Sequence, residues 1–241
     1  MGSDPYRLAI DAGNTRIKWG VHDGQGWVRR EVAATRDASS LAFPPAGMAI
    51  ASNVAGPAVR ADLEAACARA GVALRFISSE PARLGVTNGY RDPAQLGTDR
   101  WAALVAAHHG SRGHQLVVNA GTALTVDALR EDGHFLGGII VPGPTLMRRS
   151  LDRGTAGLRL TEGDFAELPG STPDAITSGA LMAASGAVIR MAETMRRHDC
   201  APARVVLSGG AAGEVAVHLP FEVALRENLV LDGLVLIARS S

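Results

Sequence analysis

What this sequence lacks narrows its function before any motif is considered. Its two cysteines, Cys67 and Cys200, form no CxxC pair and cannot build a metal knuckle. They read as reduced, inert thiols, and no residue is assigned as a metal ligand. Aromatic residues make up only 4%, too few for a base-stacking platform. An excess of charge is missing too, since 24 basic residues balance 24 acidic ones. Without a basic surplus the chain is not built around a phosphate backbone, and no nucleic-acid partner is expected. No run of about 18 apolar residues occurs, and the opening MGSDPYRLAIDAG has no signal-peptide core. The expectation is a cytoplasmic protein with no membrane partner. Neither GxxxxGK[ST] nor a GxGxxG between strand and helix is present, so any nucleotide is held by another device. Lysine is almost absent: Lys18 is the single lysine among the 24 basic residues, which draws attention to its position.

What is present is a chain of 241 residues, 46% hydrophobic and 20% charged, long enough for two small lobes with their own cores. Residues 6–10 are a short apolar run ended by the turn-forming cluster Asp11-Ala12-Gly13-Asn14-Thr15. Residues 16–22 alternate as a strand, with Ile17, Trp19 and Val21 on one face. A turn over 23–26 leads to a third strand over 27–33. The pattern then predicts a strand over 47–52, a helix over 57–70, a strand over 73–77 and a helix over 95–109.

The second half repeats this opening. A shift of 108 positions aligns Leu8 with Leu116, Ala12 with Ala120, Gly13 with Gly121 and Trp27 with Phe135. A repeat of nearly half the chain is too long for a solenoid period. It points to an α/β fold of two related lobes, residues 1–113 and 114–241, each opening with a three-stranded antiparallel meander. Beyond the second meander come Val141-Pro142-Gly143-Pro144, a short helix, and an irregular surface segment over 158–171. A long helix over 172–198 follows, then a buried strand over 205–207 closed by Ser208-Gly209-Gly210, and an apolar helix over 229–238.

Three groups of residues carry chemistry. In the first, Asp11 ends a strand, where a carboxylate can orient water around Mg²⁺. Gly13 lets a phosphate approach the backbone, Asn14 and Thr15 offer neutral donors, and Lys18 adds a point charge. The same cluster also suits a tight β-turn whose Asp and Asn serve geometry alone. The matching loop Gly121-Thr122-Ala123-Leu124-Thr125, with Asp127 nearby, favours the phosphate reading. Two such turns from duplicated lobes would face each other and grip a phosphate chain. In the second group, Ser208-Gly209-Gly210 would let an adenosine lie against the backbone, or be a plain strand-to-helix turn. The third is Tyr90, Pro93, Leu96, Gly97, Asp99 and Arg100, ahead of a helix. An aspartate beside an arginine suits a general base, and an aspartate in a first helical turn equally suits the helix dipole. His108 and His109 read as a packed or solvated pair, and Arg148, Arg149 and Arg153 as a solvated basic face.

Together these motifs resemble the type III pantothenate kinases, a bacterial family also called Bvg accessory factor. The resemblance spans most of the chain and rests on Asp11 to Thr15 with Lys18, Gly97-Thr98-Asp99-Arg100, Gly121-Thr122-Ala123 with Thr125 and Asp127, and Gly137-Gly138 with Pro142-Gly143. It implies two ribonuclease-H-like lobes of the acetate and sugar kinase/Hsp70/actin superfamily, with ATP between them. It further implies a homodimer and ATP-dependent phosphorylation of the 4′-hydroxyl of pantothenate, the opening step of coenzyme A synthesis. By the resemblance, Asp99 is the catalytic base, and Tyr90, Gly97, Thr98, Asp99, Arg100 and Thr172 meet pantothenate, Thr172 across the dimer. Asp11, Ala12, Gly13, Asn14, Thr15, Arg16, Ile17 and Lys18, together with Thr122, correspond to the ATP-binding loops. ATP with Mg²⁺ is the expected cofactor set. Many members carry an acidic residue that binds an activating potassium or ammonium ion where this chain has Asn119. Asparagine keeps a carbonyl ligand but loses the charge, so no monovalent-cation ligand is assigned.

Overall fold

The computed structural model describes residues 7–154 and 162–240. Residue 6 of the first expected strand and part of the irregular segment over 158–171 lie outside the described residues. The chain divides after Gly110 and again before Leu229 into two compact units.

The first unit opens with the meander β1 (Arg7–Ala12), β2 (Arg16–His22) and β3 (Trp27–Ala34). After a 3₁₀ turn come β4 (Met48–Asn53), α1 (Pro57–Arg69) and β5 (Leu74–Phe76), then a small hairpin, β6 (Ala82–Arg83) with β7 (Val86–Asn88), and α2 (Thr98–Gly110). The main sheet runs β3-β2-β1-β4-β5, with β2 antiparallel and β4 parallel to β1. Strand alternation sorts its two faces. Leu8, Ile10, Ile17, Trp19, Ala49 and Ala51 form a core with Val59 and Leu63 of α1. The opposite face carries Ala9, Ile50 and three polar residues, Asp11, Lys18 and Ser52.

The second unit repeats that order. Its meander is β8 (Gln115–Ala120), β9 (Ala123–Leu129) and β10 (His134–Pro142), followed by α3 (Pro144–Gly154), α4 (Thr172–Arg197), β11 (Arg204–Ser208), α5 (Ala212–Ala216) and β12 (Val223–Leu225). The strands lie β12-β11-β8-β9-β10, the first unit's sequence with each member replaced by its counterpart. The strand β8 begins 108 residues after β1, as the internal repeat requires. By length and composition α4 could cross a membrane. Here it is a core helix, with Leu181, Ala184, Val188 and Ala192 buried together with Leu116, Val118, Leu124 and Val126.

Two expectations are corrected. The helix expected over 95–109 starts at Thr98. Residues 93–95 are a separate 3₁₀ turn capped by Asp92, and Leu96 is extended, which interrupts the helix ahead of Gly97. The division at 113/114 placed the last segment with the second lobe. In the structure, the helix α6 (Leu229–Arg239) groups with the first unit. Its side chains Leu229, Val230, Leu231, Leu234, Val235 and Ile237 are all buried. A helix apolar on so many sides needs cover from more than one element, and it finds that against α2 and the strands β1, β2 and β4. The packing with α2 is backbone-close: a Cβ placed on Gly233 would stand 1.9 Å from the carbonyl oxygen of Ala102.

Candidate active site

Register builds the first part of the site. Asp11 lies directly opposite Lys18 on one side and Ser52 on the other, so three polar side chains form a row across β2, β1 and β4. The turn beyond β1 is clamped by several bonds. Gly13 N–H donates to the Arg16 carbonyl (3.1 Å), Thr35 Oγ1 to the Gly13 carbonyl (2.6 Å), and Val54 N–H to the Ala12 carbonyl (3.0 Å). Asn14, Thr15 and Arg16 stand exposed at its tip. Ala12 and Ile17 do not join them, because their side chains are fully buried in the α1-facing core. Any contact they make with a ligand is through the backbone.

The second part comes from the start of α2. The Asp99 carboxylate accepts the Arg100 backbone N–H at 2.8 Å and folds back over Gly97. A Cβ on Gly97 would sit 2.6 Å from Asp99 Oδ1, so only glycine leaves the carboxylate this position. Burial raises the Asp99 pKa, opposed by that hydrogen bond and by the Arg100 charge. Burial and the neighbouring Asp99 charge push the Asp11 carboxyl up to about 7, with Lys18 working against them. Asp11, Lys18 and Asp99 are thus gathered within one unit. Two carboxylates crowded in a dehydrated place form a hard oxygen donor set that gains from a cation such as Mg²⁺.

Arg100 is almost completely buried, an expensive place for a guanidinium without partners. It donates from Nη1 to the Tyr90 hydroxyl at 3.0 Å and stacks over the Tyr90 ring at 5.7 Å. Tyr90 is positioned in turn by its N–H bonding to Asn88 Oδ1 (3.1 Å). A buried arginine beside a phenol suits an anionic ligand with an alcohol or amide body.

The second unit has its own turn, built from backbone. Ala120, Gly121 and Thr122 are approached by two further glycine loops. A Cβ on Gly143 would lie 2.1 Å from the Gly121 carbonyl oxygen, and one on Gly209, whose φ is +107°, would lie 2.4 Å from that of Ala120. The Gly143 N–H donates to the Thr122 carbonyl at 2.9 Å and the Ala211 N–H to the Ala120 carbonyl at 3.0 Å. Thr172, also in this unit, is the exposed first residue of α4, next to Ser171, whose hydroxyl caps the helix at Asp174. A cavity of about 700 Å³, lined by His114, Ala128, Leu136, Met191, Met195 and His198, lies at the opposite end of these strands and includes none of the expected site residues.

Sequence reasoning missed Ser52. Its hydroxyl bonds that of Thr98 at 2.8 Å, and a serine directly after the apolar run Ala49-Ile50-Ala51 was the available signal.

The family model for type III pantothenate kinase matches residues 7–194. A type III pantothenate kinase of Nitrosospira multiformis is 43% identical, over 99% of this chain and 93% of that protein. One from Aromatoleum aromaticum is 46% identical, over 96% and 97%. Among solved structures, a Campylobacter jejuni protein assigned to the Baf family of transcriptional activators matches with TM-score 0.64 and 21% identity, over 97% of this chain and 98% of that one. Component A of the (R)-2-hydroxyglutaryl-CoA dehydratase of Acidaminococcus fermentans matches with TM-score 0.52 and 14% identity, over 96% and 95%. At these identities the structures speak to the fold alone, an α/β fold.

Proposed function

The chain belongs to the type III pantothenate kinase family, and from that premise we propose how its residues divide the work of moving a phosphoryl group from ATP to pantothenate. The activity is ATP-dependent phosphorylation of pantothenate to 4′-phosphopantothenate, the first step of coenzyme A biosynthesis. Asp99 is the general base. It takes the proton of the pantothenate 4′-hydroxyl as that oxygen bonds to the γ-phosphorus, while the bond to the departing ADP oxygen breaks. The observation carrying this assignment is the raised, glycine-seated carboxylate of Asp99 beside Asp11, since a base works best when its pKa is lifted toward the operating pH.

Phosphoryl transfer asks chiefly for alignment and neutralised charge. Asp11 would hold Mg²⁺ through water, and that ion supplies positive charge to the phosphates. Lys18 adds a second positive charge, and Gly13, Asn14, Thr15 and Arg16 receive phosphate oxygens at the turn. Ala12 and Ile17 contribute backbone only, and Thr122 is assigned to ATP as well. Arg100 receives the pantothenate carboxylate, with Tyr90, Gly97 and Thr98 lining the remainder. Thr172 reaches the substrate from a second copy of the chain in a homodimer. The neutral carboxamide of Asn119 relieves the enzyme of a potassium or ammonium requirement. The enzyme works in the cytoplasm, where ATP and pantothenate are available, without nucleic acid or membrane as partner.

The test is ADP release by purified protein with ATP and Mg²⁺, with and without pantothenate, in sodium or potassium as the only monovalent cation. Pantothenate-dependent release at equal rates in both salts is expected. Folded protein that binds pantothenate yet releases no ADP would instead favour a nucleotide-binding regulator.

A further inference from the structure

Ser52 is an odd residue for its place. It is fully buried near the end of β4, after Ala49, Ile50 and Ala51, all equally buried. A parallel strand covered on both faces ordinarily carries apolar side chains, and an unpaired hydroxyl there is costly. Its partner is the Thr98 hydroxyl, 2.8 Å away, on the first residue of α2. Strand register meanwhile sets Ser52 directly beside Asp11. The Asp99 carboxylate is pinned to the start of α2 by the Arg100 N–H and by the space over Gly97. One hydroxyl pair therefore ties the helix start that carries Asp99 to the strand position next to Asp11.

We propose that Ser52 is a positioning residue of the transfer reaction, which fixes the Asp99 carboxylate relative to Asp11 by anchoring Thr98. The inference rests on Asp99 being the base. Loss of the Ser52 hydroxyl leaves Thr98 in place, and because Thr98 is only partly buried, water can satisfy it. The fold then survives while the helix start gains freedom, which a reaction sensitive to displacements of about 1 Å registers in its rate.

Steady-state kinetics with saturating ATP, Mg²⁺ and pantothenate, together with thermal melts, test this on Ser52→Ala in three backgrounds: wild type, Thr98→Ser and Thr98→Val. In wild type and in Thr98→Ser, where the partner hydroxyl persists, Ser52→Ala is expected to lower kcat about tenfold while changing KM for ATP less than about twofold. In Thr98→Val, where the partner is gone, it is expected to cost nothing further. The same tenfold loss in all three backgrounds, or an unchanged kcat in the wild-type background, overturns the proposal. If Ser52→Ala does not fold, Ser52→Cys carries the same comparison, because a thiol keeps the volume with a much weaker hydrogen bond. Asp99→Asn is measured alongside: activity in that variant overturns the base assignment itself, whatever Ser52 does.

Discussion

The same row of three strand positions occurs in both units with different contents. In the first it reads Lys18, Asp11, Ser52; in the second the register partners are Thr125, Asn119, Ser208. The serine persists, and both charges have become neutral hydrogen-bonding groups. Around the second row, Gly143 and Gly209 bring backbone against backbone, whereas the first row is served by an aspartate delivered on α2. The comparison teaches that a duplicated sheet can keep its strand plan while the same row of positions changes its chemistry. One copy carries titratable side chains in its row, and the other carries neutral ones beside closely packed backbone.

The sharpest break in this contrast comes from Asp99→Asn, expected to lower kcat by about 10³-fold, within the usual range for a general base, with the fold retained and melting at neutral pH no lower than in the parent, because burial raises the Asp99 pKa. Asp11→Asn makes the first row mimic the second. Turnover is expected to fall about a hundredfold as the phosphate-side charge is lost, while melting improves. The direction of that second effect follows from the raised Asp11 pKa. A carboxyl lifted from 3.8 to about 7 on folding binds more protons in the native than in the unfolded state between those values. Stability is therefore lost as pH rises through that window, and Asp11→Asn is expected to remove the loss. Melts of ligand-free protein at pH 5 and pH 8 should show the variant gaining over wild type at both, and more at the higher pH.

The second row is probed by Gly143→Ala, whose new methyl collides with the Gly121 carbonyl. It is expected to raise KM for ATP about tenfold and to lower the melting temperature by several degrees, at an overpacking cost of about 1–3 kcal/mol. KM for pantothenate should stay unchanged. The smallest expected effect is from Asn119→Asp, which returns a charge to the second row. Its rate in potassium should exceed that in sodium by about two- to fivefold, given the modest value of one added ionic ligand, whereas the parent's rates match. Initial-rate assays in the two salts measure it.

Both meanders, both glycine turns and the motif before α2 were legible in the sequence because each is a local signal, a period of two or a turn residue at a fixed place. The seating of Asp99 was partly legible, since Gly97 stands two residues ahead. The tie between Ser52 and Thr98 was not, because the two lie 46 residues apart and nothing local joins two hydroxyls. Ala12 and Ile17 fall inside the motif assigned to nucleotide, yet alternation turns their side chains into the core, which a motif read as a string conceals. The allegiance of α6 was hidden for a similar reason. Its composition announced burial, but not against which sheet.

That last helix has a consequence for biosynthesis. The ribosome finishes the entire second unit before residues 229–239 emerge, and only then can α2 receive the neighbour whose Gly233 abuts Ala102. The first unit is thus completed after the second, and its helix α2 waits half-covered through the intervening synthesis. A nascent chain stalled between residues 172 and 229 would hold every residue assigned to ATP and pantothenate and still lack the helix that packs against α2.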